Sequence, residues 1–317
     1  MSQRICYIGA GNFSNSFIYP QLAQHDVELA AVCDLVEEKA QAAAAKFGFR
    51  NVYTDFEKMC DEQEPDAVFC IGGPQVHYGV GMKIIERGLP LYVQKPPAAD
   101  AELTAEMAAL AEQNRSVCHV GFNMRSSGAV MMTKQFLADA DFGDPTLMIY
   151  RYGLVSGRNW QHAIYDQHCH AADTIRYLVG EVASVHVEPL LQEGVRGYVA
   201  AMRMANGALA TLNTTSEQDI RDEFIYFEVT GRSQHYVISH DGDLRYHRPG
   251  AADICLRAGT YFPGRLLEHF GYVEDVRNFL AAARGEEPDR CPVADTVKTM
   301  ALVEEIYRQC REKGGPE

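Results

Sequence analysis

Residues 4–14, RICYIGAGNFS, contain the pattern that decides the fold. Arg4–Ile8 is a short apolar run typical of a buried strand, and two glycines follow it at once. The apolar residues beyond the glycines are spaced as in a helix. A strand, a glycine turn and a helix form a dinucleotide-binding fingerprint, in which backbone N–H groups approach a pyrophosphate. The segment therefore predicts a nucleotide site formed by Gly9, Gly11, Asn12 and Phe13.

An acidic residue follows the next predicted strand. Val27–Cys33 leads into Asp34, about twenty residues beyond the glycine turn, where a carboxylate can hydrogen-bond a ribose. Glu37 and Glu38 come shortly after and would repel the 2′-phosphate of NADP. The pattern therefore predicts NAD in preference to NADP. A turn without a ligand is the alternative for the bare glycine motif, whose third position is Ser14.

The first 122 residues alternate between strand and helix patterns. Further strands are expected at residues 50–53, 66–71, 89–95 and 117–122. Helices are expected at residues 37–47, after Asp55, after Pro74 and at residues 100–114. Repeated βα units of this length predict a doubly wound parallel sheet with helices on both faces.

Lys95 closes an apolar run, residues 89–93, and stands before Pro96 and Pro97. Because proline disfavours the helical region for the residue before it, Lys95 is expected to be extended at the end of a strand. Ligands of open α/β sheets bind at the carboxyl ends of strands, so a lysine there is placed for chemistry. A solvated lysine in a proline-rich turn is the alternative for this motif alone.

A second motif lies at residues 166–173, DQHCHAAD. Asp166, His170 and Asp173 are spaced i, i+4, i+7, so an α-helix places them on one face. Asp166 is a natural N-cap, and the helix is expected to end at Gly180. A carboxylate one turn from an imidazole fixes its tautomer and raises its basicity, as a general base requires. The alternative is a capped helix with a core histidine.

The pattern changes in the second part of the chain. From Pro145 the predicted strands are long and adjacent, with a hairpin at Asn206-Gly207, and the last helices are expected at residues 268–283 and 293–311. We therefore expect an NAD-binding Rossmann domain, residues 1–122, and an α+β domain, residues 123–317, with a large, mostly antiparallel open sheet. Helices would cover one face of that sheet. The other face also needs to be covered, so we expect a homodimer or homotetramer.

Composition narrows the class of protein. A net charge of −14 argues against a nucleic-acid backbone or an anionic membrane surface as partner. Nine scattered cysteines without a C-x-x-C pair fit a reducing compartment. No secretory segment opens the chain, and no run of eighteen apolar residues occurs. These features predict a cytoplasmic protein with no nucleic-acid or membrane partner.

The glycine turn, the Lys-Pro strand end and the D-x-x-x-H-x-x-D helix occur in the order seen in the Gfo/Idh/MocA family, which the whole chain resembles. Residues 268–279 and 292–295 resemble that family as well. The resemblance implies hydride transfer between NAD and a hydroxyl carbon of a sugar, polyol or sugar acid. It implies catalytic roles for Lys95, Asp166 and His170, cofactor contacts from Gly72, Pro74, His77, Gln94 and Lys95, and substrate contacts from Asn123, Arg125 and His170.

Some positions depart from the family pattern. Gln94 replaces the usual glutamate before the lysine, and Met124, Ser126 and Gly128 differ after Asn123, which leaves the substrate open. Two other activities remain as alternatives: an NAD-retaining glycoside hydrolase acting by oxidation and elimination, and a nucleotide-responsive regulator without turnover. The presence of both catalytic motifs argues against the regulator.

The loop before residue 166 contains Arg158 and Trp160. An aromatic ring beside polar donors suits a polyol, so both are predicted to contact substrate, the alternative being a packed indole in a surface loop. The nearby His162, Asp166, His168 and His170 raise the question of a metal site. On one helix His168 points away from the face that carries Asp166 and His170, so these residues cannot share one ion and no metal is predicted.

Overall fold

The computed structural model describes residues 2–153, 159–218, 225–257 and 266–315, which fall into two compact units. The first unit comprises residues 1–123 and 272–297. Its strands are β1 (Gln3–Ile8), β2 (Val27–Cys33), β3 (Asn51–Tyr53), β4 (Ala67–Cys70), β5 (Leu91–Gln94) and β6 (Cys118–Gly121). Its first helices are α1 (Tyr19–Leu22), which continues a π-helical segment Ser14–Ile18, α2 (Glu37–Phe47), α3 (Phe56–Gln63), α4 (Pro74–Glu86) and α5 (Ala101–Asn114).

The six strands form one sheet in the order β3-β2-β1-β4-β5-β6, and every neighbouring pair is parallel. This is the strand order of doubly wound dinucleotide-binding folds. The predicted parallel sheet is therefore confirmed. Because all strands run the same way, the loops that follow β1, β2, β4 and β5 leave the sheet at one edge.

Side-chain caps begin two of the helices. Asp55 accepts hydrogen bonds from the N–H groups of Glu57 and Lys58, at 2.9 and 3.2 Å, and Asp100 accepts one from Leu103 at 2.8 Å. These bonds satisfy N–H groups that have no partner inside a helix. The helix boundaries expected from the two aspartates are confirmed.

A stack of aromatic rings fills the core beside the sheet. Tyr7 stacks on Phe69 with ring centroids 5.6 Å apart, and Phe69 stacks on Tyr92 at 4.9 Å. Phe279 contacts Phe69 and Tyr92 edge-on, with ring centroids 5.0 and 5.5 Å apart. All four residues have no exposed surface. Phe279 comes from α10 (Tyr272–Ala283), a helix near the carboxyl end of the chain.

The placement of that helix differs from the expected division of the chain. We expected residues 123–317 to form the second domain, whereas Tyr272–Val297 groups with the first unit. The reason is hydrophobic burial, since Val276, Phe279 and Leu280 belong to the core of the parallel sheet. The helix expected at residues 268–283 is also divided in two at Gly271, whose φ of 85° cannot continue a right-handed helix.

The second unit comprises residues 124–271 and 298–317. Its strands are β7 (Leu147–Tyr152), β8 (Val182–Pro189), β9 (Gly197–Met204), β10 (Leu209–Thr215), β11 (Ile225–Thr230), β12 (Tyr236–His240), β13 (Asp243–His247) and β14 (Ile254–Leu256). The remaining helices of the chain are α6 (Gly128–Leu137), α7 (Trp160–His162), α8 (Cys169–Val179), α9 (Leu266–His269), α10 (Tyr272–Ala283) and α11 (Val293–Glu312). A 3₁₀ turn, Asn123–Ser126, precedes α6, and a π-helical segment, Ala163–His168, joins α7 to α8.

The strands of this unit form one sheet in the order β14-β13-β12-β11-β7-β10-β9-β8. Only the β7–β10 pair is parallel among these strands of the described chain, so the predicted mostly antiparallel sheet is confirmed. Buried residues alternate with more exposed ones along β7, β9, β10 and β11. Helix α8 contacts β7 and β10, and α6 contacts β12 and β13. In the described part of the chain, no helix is both long enough and apolar enough to span a membrane.

Candidate functional site

The glycine turn after β1 packs against Ile71, which follows β4, and is hydrogen-bonded to β2. Gly9 has a φ of 102°, and a Cβ atom at this position would lie 2.0 Å from the Ile71 carbonyl oxygen. Its N–H donates to the Cys33 carbonyl at 2.8 Å. The Ser14 hydroxyl, at the third fingerprint position, donates to the Gly9 carbonyl at 2.8 Å. The turn therefore requires glycine and is fixed by bonds to its own residues and to β2.

Asp34 faces this turn from the end of β2. Its Oδ2 accepts a hydrogen bond from the Ala10 N–H at 2.7 Å, and its Oδ1 accepts one from Val36 at 2.9 Å. A carboxylate retains acceptor capacity beyond these two bonds. Asp34 therefore lies beside the predicted pyrophosphate turn, as a ribose ligand must.

Two exposed apolar side chains flank the turn, and neither was predicted from the sequence. Leu35, which follows β2, is 92% exposed, and Val76, in the first turn of α4, is 41% exposed. The strands β2 and β4 are the two neighbours of β1, so the segments that follow them, which carry these two residues, leave the sheet beside the glycine turn. Exposed apolar residues at a nucleotide site suit the faces of an adenine ring. The signal for Leu35 in the sequence was a leucine placed directly after the acidic residue that ends the second strand.

His77 joins the loops that follow β4 and β5. Its Nε2 accepts from the Gly72 N–H at 3.0 Å, so Nδ1 carries the proton and donates to the Pro96 carbonyl at 2.8 Å. Burial lowers the pKa of His77 to about 4; the bond to Pro96 opposes this shift, and the Lys95 charge adds to it. A neutral imidazole therefore holds Gly72 and the proline after Lys95 together. Its predicted contact with the cofactor stays a prediction, as does that of Pro74, the first residue of α4.

Lys95 is the first residue after β5, at the edge of the sheet where it was predicted from the sequence. It is half-buried, and the Lys95–Pro96 peptide bond is cis. Gln94 is buried and donates through Nε2 to the Tyr92 hydroxyl at 2.9 Å. The Lys95 N–H points to Gln94 Oε1 at 3.4 Å. The lysine is thus held by the carboxamide of the preceding residue as well as by the prolines that follow.

The D-x-x-x-H-x-x-D motif of the second unit lies on a longer helical segment than predicted. The segment begins at Asn159, whose side chain accepts from the His162 N–H at 2.9 Å, and passes through α7 and the π-helical turn into α8. The prediction that Asp166 caps the helix was wrong, because the cap is Asn159, seven residues upstream. The predicted end at Gly180 is confirmed.

Asp166 lies in the π-helical turn and His170 in α8. A π-helix has i→i+5 bonding, so the i, i+4 geometry of an ideal α-helix does not apply across this junction. His162 Nε2 lies 3.6 Å from Asp166 Oδ2. His170 is 9% exposed, and its pairing with Asp166 stays a prediction.

His168 is buried on another side of the segment, where its Nδ1 lies 3.0 Å from the Tyr198 hydroxyl. Within the described ranges, no group of three or more His, Cys, Asp or Glu side chains could hold a metal ion.

Arg125 forms a buried ion pair that anchors this helix. Its Nε and Nη2 lie 2.7 and 2.6 Å from the two carboxylate oxygens of Asp173 in α8. The Thr299 hydroxyl donates to the same carboxylate at 2.8 Å. Two donors of the guanidinium are thus committed to holding α8, and the predicted contact of Arg125 with substrate stays a prediction. Asn123, at the start of the same 3₁₀ turn, is also buried, and its substrate role stays a prediction.

Trp160 is only 2% exposed. Its ring lies 6.0 Å from that of Tyr198, and with the loop Leu190–Arg196 it lines a cavity of about 510 Å³. The packed indole was one of the two alternatives for this loop, and a substrate contact stays a prediction. Arg158 lies outside the described residues.

Comparison with known proteins identifies the family. Residues 3–122 match a family model described as an oxidoreductase family with an NAD-binding Rossmann fold. Residues 159–316 match the model for the C-terminal alpha/beta domain of the same oxidoreductase family. The chain belongs to the Gfo/Idh/MocA oxidoreductase family. The resemblance noted in the sequence is thereby confirmed.

Relatives of this Gfo/Idh/MocA protein include two sugar dehydrogenases. Levoglucosan dehydrogenase of Pseudarthrobacter phenanthrenivorans is 25% identical over 247 residues, 64% of this chain and 63% of that protein. D-apiose dehydrogenase of Paraburkholderia graminis is 24% identical over 326 residues, 96% of this chain and 87% of that protein. The match thus spans just under two thirds of the first relative and most of the second.

A solved structure of levoglucosan dehydrogenase in complex with NADH and L-sorbose is similar to this chain. It has a TM-score of 0.82 at 18% identity, with 98% of this chain and 97% of that chain covered. At this identity the likeness concerns the fold, a Rossmann domain joined to a domain with a large open sheet.

We expect His77 to make stability depend on pH. Its folded pKa of about 4 lies below the ordinary 6.5, so between these values the unfolded chain binds a proton that the folded chain rejects. This contribution is full above pH 6.5 and is lost as the pH falls toward 4, by about 1.4 kcal/mol per pH unit. Urea unfolding at pH 5, 6 and 7 should show a steeper pH dependence for the wild type than for His77→Gln. Glutamine can replace both hydrogen bonds but does not titrate, so parallel pH profiles would contradict the assignment.

Proposed function

We propose that this Gfo/Idh/MocA oxidoreductase is an NAD-dependent dehydrogenase that acts on a hydroxyl carbon of a sugar, polyol or sugar acid. The observation that carries the proposal is the edge of the parallel sheet, where Gly9, Asp34 and Lys95 lie at the ends of β1, β2 and β5. The two relatives described above are named as dehydrogenases of levoglucosan and D-apiose, which supports a carbohydrate-like substrate.

The residues at this edge fit a dinucleotide. Gly9 leaves no room for a side chain, so the backbone of the turn can approach a pyrophosphate. Asp34 supplies a carboxylate beside that turn, and Leu35 and Val76 supply apolar surface for a base. When bound, NAD supplies the hydride acceptor.

The protein residues then handle the proton and the charge. We assign His170 as the general base that takes the proton of the substrate hydroxyl, with Asp166 as its orienting carboxylate. Lys95, as an ammonium, stabilises the alkoxide that develops on the same oxygen. Asn123, Arg125, Arg158 and Trp160 are the proposed contacts to the rest of the substrate. Asp173 holds α8 through Arg125 and takes no part in the chemistry.

We expect the enzyme to prefer NAD to NADP, because Asp34 and the acidic start of α2 disfavour a 2′-phosphate. Fluorescence titrations with NADH and NADPH should give a lower Kd for NADH. Asp34→Ala should narrow the ratio of the two constants. Asp26→Ala is the matched control, because it removes the same charge from the opposite end of β2. Equal affinity of the wild type for both dinucleotides would contradict the preference.

We also propose a homo-oligomer, a dimer or tetramer, formed through the open face of the sheet in the second unit. Leu147, Val199 and Leu209 are 37–46% exposed, and the strand register places all three on one face. Exposed apolar residues on a sheet face indicate a covered surface. Light scattering at micromolar concentration should give at least twice the 35.3 kDa of one chain. Leu209→Lys should lower that mass, and a monomeric wild type would rule out the interface.

The central test is kinetic. A screen of polyols, aldoses and sugar acids, followed by NADH absorbance, should identify a substrate that is oxidised with steady NADH release. Sustained NADH release is expected of a dehydrogenase and not of a glycosidase that retains its NAD or of a regulator without turnover. Lys95→Ala and His170→Ala should then each lower kcat on the order of a hundredfold or more, with a smaller change in NAD affinity.

The double variant should be far from additive, since residues that act on one transition state fail together. Lys58→Ala and His186→Ala are controls, because both remove exposed side chains of the same types. Unchanged kcat in Lys95→Ala, or two effects that simply multiply, would overturn the shared role.

A further inference from the structure

A chain of buried polar side chains lies behind Lys95 in the first unit. Gln94 Nε2 donates to the Tyr92 hydroxyl at 2.9 Å, and Tyr92 donates to Asp275 Oδ2 at 2.8 Å. The other oxygen of Asp275 lies 3.3 Å from His119 Nε2. His119 Nδ1 lies 2.6 Å from Asp289 Oδ1, and the Asp289 side chain is 11% exposed. Five side chains thus form a hydrogen-bonded series from the backbone of Lys95 to the protein surface.

The donor and acceptor roles in this series of hydrogen-bonded side chains are fixed. Asp275 is acceptor-only when ionised, so the single hydroxyl proton of Tyr92 is committed to it. The Tyr92 oxygen can then only accept, which requires the NH₂ end of the Gln94 carboxamide. The carbonyl end of Gln94 is therefore turned to the other side, where it faces the Lys95 N–H at 3.4 Å.

His119 lies between the carboxylates of Asp275 and Asp289. Burial opposes a charged imidazole here, but Asp289 and Asp275 outweigh burial and raise the pKa of His119 to about 10. The ring also stacks on Tyr92, with centroids 5.1 Å apart and planes at 17°. An imidazolium between two carboxylates holds both as acceptors. The direction of hydrogen bonding is thereby set from the surface end of the chain inward.

Gly121 packs closely against the Gln94 and Tyr92 side chains. It is the register partner of Gln94 on the neighbouring strand β6. A Cβ atom on Gly121 would lie 2.5 Å from Gln94 Nε2 and 2.6 Å from the Tyr92 hydroxyl. Since the Gly121 backbone is not in the left-handed region, the glycine leaves room for these two side chains in their observed positions, and a Cβ atom would displace them.

We propose that Tyr92, Asp275 and His119 are positioning residues for Lys95, and that they act by fixing which end of the Gln94 carboxamide faces the lysine backbone. The proposal rests on the role of Lys95 in the proposed function. The chain orients but does not relay protons, because a carboxamide does not take up a proton at neutral pH. Asp275 and His119 are brought to β5 by α10 and β6.

Tyr92→Phe tests the chain by removing one hydroxyl group. We expect kcat to fall on the order of tenfold, since small misplacements of a catalytic group are costly, while the Kd for NADH changes less than about twofold. Tyr7→Phe is the matched control: Tyr7 is equally buried, stacks on Phe69 as Tyr92 does, and lies outside this chain of bonds. Circular dichroism should show that both variants are folded at the assay temperature.

A second test reverses the hydrogen-bond direction without changing side-chain size. Gln94→Glu puts an acceptor on each side of Tyr92, which has one proton, so kcat should fall roughly tenfold. Adding Asp275→Asn supplies an NH₂ group that donates to the Tyr92 oxygen and frees its proton for Glu at position 94. The double variant should therefore recover several-fold in kcat over Gln94→Glu alone.

The outcomes separate this proposal from the proposed function. If Lys95→Ala leaves kcat unchanged, the function assigned to the site fails. If Lys95→Ala lowers kcat but Tyr92→Phe matches Tyr7→Phe, the positioning role is wrong. If Gln94→Glu and the double variant are equally impaired, the direction of hydrogen bonding does not matter and the role is likewise overturned.

Discussion

Polar groups that are buried at the carboxyl edge of the parallel sheet must find partners there, because an unpaired buried donor or acceptor costs about 1–3 kcal/mol. This constraint shapes each loop of the candidate cofactor site. Asp34 receives the Ala10 N–H, His77 joins Gly72 to Pro96, and Gln94 donates to Tyr92. The side chains that pair with the buried polar groups at this edge thus also fix the positions of the residues proposed to bind the dinucleotide.

In the second unit, a buried carboxylate is likewise paired, here with a charged partner. Asp173 is fully buried in α8, where an unpaired carboxylate would be far more costly than a neutral group. Arg125 and Thr299 satisfy it. The helix that carries His170 is therefore anchored one turn away from the histidine. In both units, the groups that perform the proposed chemistry stand next to groups whose partners leave them little freedom.

Several of these features could be found in the sequence. The glycine turn, Asp34, the lysine before two prolines and the alternating elements were all predicted and lie where expected. Other features could not be found. The π-helical turn at Ala163–His168 interrupts a pattern that looked like one α-helix capped at Asp166. Tyr272–Val297, assigned to the second domain by its position in the chain, packs into the core of the first unit.

The sequence alone determined the class of each element, because strand and helix periods, caps and glycine turns depend on residues within a few positions of each other. It also determined the candidate motifs, whose residue types carry the chemistry. Only the tertiary structure decided the partners. Tyr92 meets Asp275 across 183 positions and His119 meets Asp275 across 156. Such pairs have no local pattern, since they exist only after burial in one core brings the strands and α10 together and leaves their polar groups no water to bind.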